Sequence, residues 1–333
     1  MTSFQRVMAA MDGHPVDRTP VSLMTMAWAA HYIGKTYREY TLEPETLVAS
    51  HLALARDLGM DTVTVQTDPW CEAEAYGMQF QYPAEGVGIP LRHLLEGEGI
   101  ALDKLMLFDP HKHHRTSERI RAVQLYAEQV KGEVPIIGWV EGPIAEYADL
   151  RGLESACIDL IEFPDEIHHA LGFMVENALR FARAQIEAGA DIIGVGDAAA
   201  SVIGPTLYEE YVWPHERVLL AGIRAAGAKT KLHICGNIAP LLPLLAQLDI
   251  DILDVDWMVP LEDARGIMGE TVTLCGNFNP VEEQFQCSPS HTRAASLRCR
   301  EQAGVRFILQ GGCETPPGTP LDNVKACFDF DRV

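Results

Sequence analysis

The chain has 333 residues, and 26 Lys and Arg against 47 Asp and Glu give it a formal charge of −21. Hydrophobic residues at 47% and charged residues at 22% are globular values, which exclude wholesale disorder and leave enough apolar material for a core. The acidity excludes nucleic acid and anionic membrane surfaces as partners, because both select basic patches.

In chain order, the opening MTSFQRVMAAMDGHPVDRTP suggests a short extra helix and carries no apolar run of the signal-peptide kind. No window of about 18 apolar residues follows, so no membrane span is expected. Eight cysteines without a secretion signal read as thiols or ligands, and the cytoplasm is the expected location. Predicted strands lie at 19–24, 61–66, 134–140, 191–195, 229–235, 251–255, 271–275 and 305–310, each rich in β-branched residues and bounded by Gly, Pro or Asp. Helical patterns fill 42–58, 116–131, 165–188, 205–226, 237–247 and 288–304, several ending at a glycine just before the next strand. Eight strands alternating with helices predict an α/β fold, a single (β/α)8 TIM-type barrel over 1–333 with an additional N-terminal helix. No GxGxxG follows the first strand and no low-complexity linker divides the chain, which disfavours an open doubly wound sheet. Residues 67–115, irregular and rich in Gly, Pro and His, read as an insertion after the second strand, lying over one face.

Barrel chemistry sits at the C-terminal ends of the strands. Those positions hold Asp68, Glu141, Asp197, His233 with Cys235, Asp256, Cys275 with Asn277, and Cys313, a set with acids and thiols but no Lys or Arg. His233-Ile-Cys235 closes the fifth strand, and residues two apart on a strand share a face, so both side chains converge at the barrel mouth. Gly311-Gly312-Cys313 follows the eighth strand. One imidazole and two thiols suit tetrahedral zinc, and three protein ligands leave a fourth position open, as in catalytic sites. Cys275 competes with Cys313 as third ligand, since it also ends a predicted strand. Asp256 reads as a fourth ligand, a partner of His233 or a helix cap, and Asn237 as the cap of the helix after HIC. Asp68, Glu141 and Asp197 are candidate catalytic residues that orient substrate, with helix or loop capping as the plain alternative. Cys71, Cys157, Cys287, Cys299 and Cys327 read as core or surface thiols, and His111-Lys-His-His114 as a solvated loop. DPHKHH lacks the glycine of a D-x-H-x-x-G corrinoid-ligand motif, so no built-in corrinoid domain is inferred.

The stretches GADIIGVGDAAASVIGPTLYEEYVWPH, HICGN, GNFNP and GGCETPPGTPLDN resemble the uroporphyrinogen decarboxylase superfamily, from DGHPVDRTPV to the C-terminus. HICGN together with GGCE resembles its zinc-containing, cobalamin-dependent methyltransferase branch, whose best-known members methylate coenzyme M. The resemblance implies a (β/α)8 barrel, zinc on His233, Cys235 and Cys313, and a functional Asp68. It further implies methyl transfer between a zinc-activated thiol and a corrinoid, either free methylcobalamin or a separate corrinoid protein. The reverse direction, from an O- or N-methyl donor to Co(I), stays open, as do the identity of the small-molecule substrate and a homodimer. The decarboxylase branch needs arginines near the first strand, and this chain has none between Arg18 and Arg38. A non-enzymatic zinc barrel docking onto a corrinoid partner is the third reading. The insertion 67–115 would then form part of the docking rim.

Overall fold

The computed structural model describes residues 1–331. Among the described residues nine strands occur in chain order: β1 (Val63–Thr64), β2 (Phe80–Gln81), β3 (Ile89–Pro90), β4 (Ile136–Glu141), β5 (Ile192–Gly196), β6 (Lys229–His233), β7 (Ile252–Asp254), β8 (Thr273–Phe278) and β9 (Phe307–Gly311). Seven form one parallel sheet in the order β1-β4-β5-β6-β7-β8-β9, curled with helices outside as a TIM-type barrel. The predicted first strand, 19–24, is reduced to a bridge. Val21 pairs in parallel with Leu309, Leu309 N donates to Pro20 O at 2.8 Å, and Asp61 N donates to Val21 O at 2.9 Å, so 20–22 spans the two edges of the sheet. It cannot extend as a ladder because Pro20 has no N–H and Val21 N donates to the Asp61 carboxylate at 2.8 Å.

The N-terminal helix Ser3–Met11, begun by a Thr2 and Gln5 capping box, closes the bottom of the barrel. Its Val7 and Met11 pack on Ile137, Ile192, Ile252, Cys275 and Ile308. At the other end, the 67–115 excursion holds a short helix (Cys71–Ala75) and the antiparallel β2–β3 hairpin.

Three predicted helices differ, each for a local reason. The helix expected at 42–58 is two, Tyr37–Leu42 and Pro44–Leu58, because Pro44 holds Glu43 extended. The helix expected at 237–247 shrinks to Leu242–Leu245, which starts only after Pro240 and takes Pro243 in its first turn, and Asn237 caps a turn by accepting from Ala239 N at 3.1 Å. The pattern over 205–226 contains a π-helical turn, Tyr208–Val212, just before Pro214 in the following helix, Trp213–Ala225. Among the described residues no helix is long and apolar enough to cross a membrane.

Candidate metal centre and the cavity beside it

His233 is the last residue of β6, Cys235 follows in the turn, and Cys313 follows β9. One donor atom from each lies within 4.8 Å of the other two. His233 Nε2 is 3.0 Å from Cys235 Sγ, the convergence that the two-residue spacing predicts. Among the described residues no other group of three His, Cys, Asp or Glu donors converges in this way. Asp256 stands outside the trio: its Oδ2 accepts from Gly236 N at 2.9 Å and its Oδ1 from Met258 N at 3.2 Å. It thereby fixes the turn that carries Cys235. Cys275 is also apart, because β8 runs on to Phe278 and leaves this thiol in the barrel interior against the N-terminal plug.

The partner of His233 is Asp254, a residue that the sequence reading passed over. Asp254 Oδ2 is 3.2 Å from His233 Nδ1, and Oδ1 accepts from the buried Lys231 ammonium. That ammonium also lies 3.4 Å from Gln310 Oε1 and 3.8 Å from Cys275 Sγ. Burial opposes ionisation of Asp254, yet Lys231 and His233 together hold its carboxyl well below the usual range. The detectable signal was one charge of each sign, Lys231 and Asp254, at inward positions of neighbouring central strands.

A hydrogen bond from the Cys235 thiol, with His233 beside it, holds Cys313 down at about 4 against burial. Cys235 is pushed up in return, first by that hydrogen bond and then by burial. Burial disfavours an imidazolium at His233, but its bonds to Asp254 and Cys313 outweigh that and raise it to about 9. The trio therefore holds one thiolate and two protons that a soft divalent cation displaces on binding. With Asp254 on Nδ1, Nε2 is the nitrogen left to face the thiols, the usual second-partner arrangement of a metal-binding histidine. The donor set fits zinc.

The uroporphyrinogen decarboxylase (URO-D) family model matches residues 2–332. The chain belongs to this family. Methylcobamide:CoM methyltransferase MtaA of Methanosarcina barkeri (strain Fusaro / DSM 804) is 27% identical over 335 residues, covering 96% of this chain and 95% of that protein. The uroporphyrinogen decarboxylase of Sorangium cellulosum (strain So ce56) is 30% identical over 346 residues, covering 98% and 95%. A solved methyltransferase from Methanosarcina mazei superposes with a TM-score of 0.87 at 26% identity, covering 99% of this chain and 98% of that one. Members of this URO-D family thus include both methyltransferases and decarboxylases, and the fold matches the methyltransferase end to end.

Within the URO-D barrel, a cavity of about 460 Å³ opens between the insertion and the loops after β4 and β5. Trp70, His93, Glu141, Asp149, Leu153 and Val202 are among its walls. Glu141 sits on the same rung of the sheet as Gly196 and His233, its backbone two interstrand spacings, or about 10 Å, from that of His233. Trp139 Nε1 donates to Glu141 Oε1 at 3.1 Å. A Cβ at Gly194 or Gly196 would run into the Trp139 ring, which explains the two glycines of IIGVG. Burial, then the charges of Glu72 and Asp149, push the Glu141 carboxyl well up.

The other two candidate acids are turned away from the cavity. Asp68 is held by Arg115, which also binds Glu74 and Tyr82. Asp197 Oδ1 accepts from Ala145 N at 2.7 Å, capping the helix Pro143–Arg151, and burial raises its carboxyl to about 7. Sequence reasoning missed Glu146 and Asp149 on that helix and the buried Arg115 and Arg119. All eight cysteines are free, and His111 and His114 are exposed beside the start of the helix His114–Val130.

Proposed function

We propose that this chain is a zinc-dependent methyltransferase that moves a methyl group between a corrinoid and a zinc-activated thiol, with the corrinoid arriving as methylcobalamin or on a separate protein. The convergence of His233, Cys235 and Cys313 at the strand C-termini carries this reading. Zinc held by these three would supply the Lewis acidity that keeps an incoming thiol deprotonated while it remains nucleophilic.

The chain's own residues do the rest. Asp254, anchored by Lys231, orients His233 and fixes which nitrogen presents to the centre. Asp256 holds the Gly236 amide and with it the turn that places Cys235. Glu141 and the cavity walls position the organic part of the substrate on the His233 rung. The same residues serve transfer in the opposite direction, from a methylated donor to reduced cobalt, because none of them consumes a proton or electron irreversibly. The span 1–333 acts in this reading as one barrel domain in the cytoplasm.

A metal-free decarboxylase acting on a polycarboxylate fits less well. Among the described residues no Lys or Arg lines the cavity, and its acidic walls, Glu141 and Asp149, offer a polycarboxylate no counter-charge. The test is reconstitution. Methylcobalamin mixed with the purified protein and a panel of thiols should lose its methyl–cobalt absorbance, with product thioether formed in equal amount. No reaction with any thiol, and none in reverse with O- or N-methyl donors and reduced cobalamin, would end the methyltransferase reading.

A further inference from the structure

We infer that the cavity beside the metal centre is a subsite for a small organic cation, so that the substrate carries an ammonium group at the end remote from its reacting atom. That second clause rests on the methyltransferase reading; the cation subsite itself does not.

The first observation is an unmet demand for positive charge. Glu146 is 3% exposed, and neither of its carboxylate oxygens has a hydrogen-bond partner among the described residues. Its neighbours are more carboxylates: Glu72, Asp149 and Glu141 all act on it electrostatically. Asp149 Oδ2 is likewise buried without a partner, on a residue that lines the cavity. A buried carboxylate left without a donor or counter-charge is strongly disfavoured, and such groups in native proteins call for an explanation. Burial and mutual repulsion push Glu141, Glu146 and Asp149 up, as expected where the compensating cation is missing.

The second observation is that, among the described residues, the lining of the cavity holds no fixed positive charge. Among the described residues the cavity is lined by no Lys or Arg, and nearby Arg115 is engaged by Asp68, Glu74 and Tyr82. His93, also in the lining, donates from its Nδ1 to Asp149 O at 2.8 Å, a carbonyl that can only accept.

Size and lining then select the kind of cation. These carboxylates do not converge as a metal-binding group does, while the His233 trio in the same molecule does. The cavity has room for several heavy atoms, and the rest of its lining is apolar and aromatic, with Trp70, Leu153 and Val202 beside the acids. An indole face and aliphatic walls suit the carbon-borne charge of an alkylammonium and desolvate it. The cavity and the donor trio share one structural element: the turn after β5 contributes Ala198, Ala199 and Val202 to the cavity wall, and Ser201 of that turn lies beside Gly236, next to Cys235.

Three two-carbon thiols that differ only in charge test this directly: cysteamine, mercaptoethanol and mercaptoethanesulfonate. Calorimetric titration of the purified protein should rank them in that order, with cysteamine at least tenfold tighter than mercaptoethanol and the sulfonate weakest. Ethylammonium should compete with cysteamine and ethanesulfonate should not, a readout that needs neither the thiol nor turnover. Asp149→Asn, and separately Glu146→Gln, should each erode the cysteamine advantage several-fold. If one of these variants does not fold, the other still decides the matter. Equal binding of all three thiols, preference for the sulfonate, or an unchanged ranking in the variants would overturn the subsite. Charge-selective binding without any methyl transfer would leave the subsite standing and remove the methyltransferase reading, whereas methyl transfer that prefers the sulfonate would do the reverse.

Discussion

Asp254 and Asp149 are both shielded aspartates near the C-terminal end of the barrel, yet their surroundings differ in sign. Asp254 lies between Lys231 and His233, and its carboxylate is satisfied by both. Asp149 lies among Glu72, Glu141 and Glu146 with one oxygen unpartnered. On the side of the donor trio the buried charges are thus paired, carboxylate against ammonium and imidazole. The cavity side is incomplete until something positive enters. In the proposed reading the two halves have different tasks, activation of a sulfur atom at one and recognition of the substrate's far end at the other.

The largest expected effect separates the ligand thiols from the bystander. Cys235→Ala and Cys313→Ala should each lose most bound zinc in elemental analysis, while Cys275→Ala keeps it, since Cys275 faces Lys231 and the apolar plug. Loss of zinc from Cys275→Ala alone would move the centre inward and dissolve the contrast. Next in size, Asp254→Ala leaves the Lys231 ammonium buried without its counter-ion and should lower unfolding free energy by about 3–5 kcal/mol in denaturant titration. Asp254→Asn keeps the shape and should weaken zinc affinity about 10–100-fold through His233. A chelator competition that shows no change in this variant would deny Asp254 its positioning role.

The smallest effect concerns the incomplete side. Burial, then Glu72, Asp149 and Glu141, push the Glu146 carboxyl well above its usual 4.5. The native state therefore retains a proton that the unfolded chain releases above about pH 4.5, and stability falls as pH rises from there toward the folded pKa. Glu146→Gln removes that dependence. Its stability relative to wild type should climb as the pH rises above about 5, read from denaturant midpoints. A difference that stays flat over this range would mean that Glu146 already has a counter-charge.

The metal side was the more legible of the two in the sequence. His233 and Cys235 stand two apart at a strand end, where local periodicity alone brings them together, and Gly-Gly-Cys313 marks a second strand end on the same side of the barrel. Asp254 was not read because a lone acid near a strand end looks like a cap; only its pairing across strands with Lys231 gives it meaning. The cavity acids were harder still. Glu146 and Asp149 sit on a helix in PIAEYADLR, where acids three apart normally form a solvated face. Packing of the 67–115 excursion against that helix turns the face inward, and no local pattern encodes such long-range burial. The barrel was legible from its β-branched runs, except where Pro20 stops the first from becoming a strand.

The central claim, a zinc with two thiolates, one imidazole and a position open to a substrate thiol, is tested most directly by X-ray absorption at the zinc edge. The purified protein should show two sulfur neighbours at about 2.3 Å and one nitrogen near 2.0 Å, with a third sulfur appearing when cysteamine is added. A sulfur count that does not rise with thiol, or a first shell made of oxygen and nitrogen alone, would contradict the account.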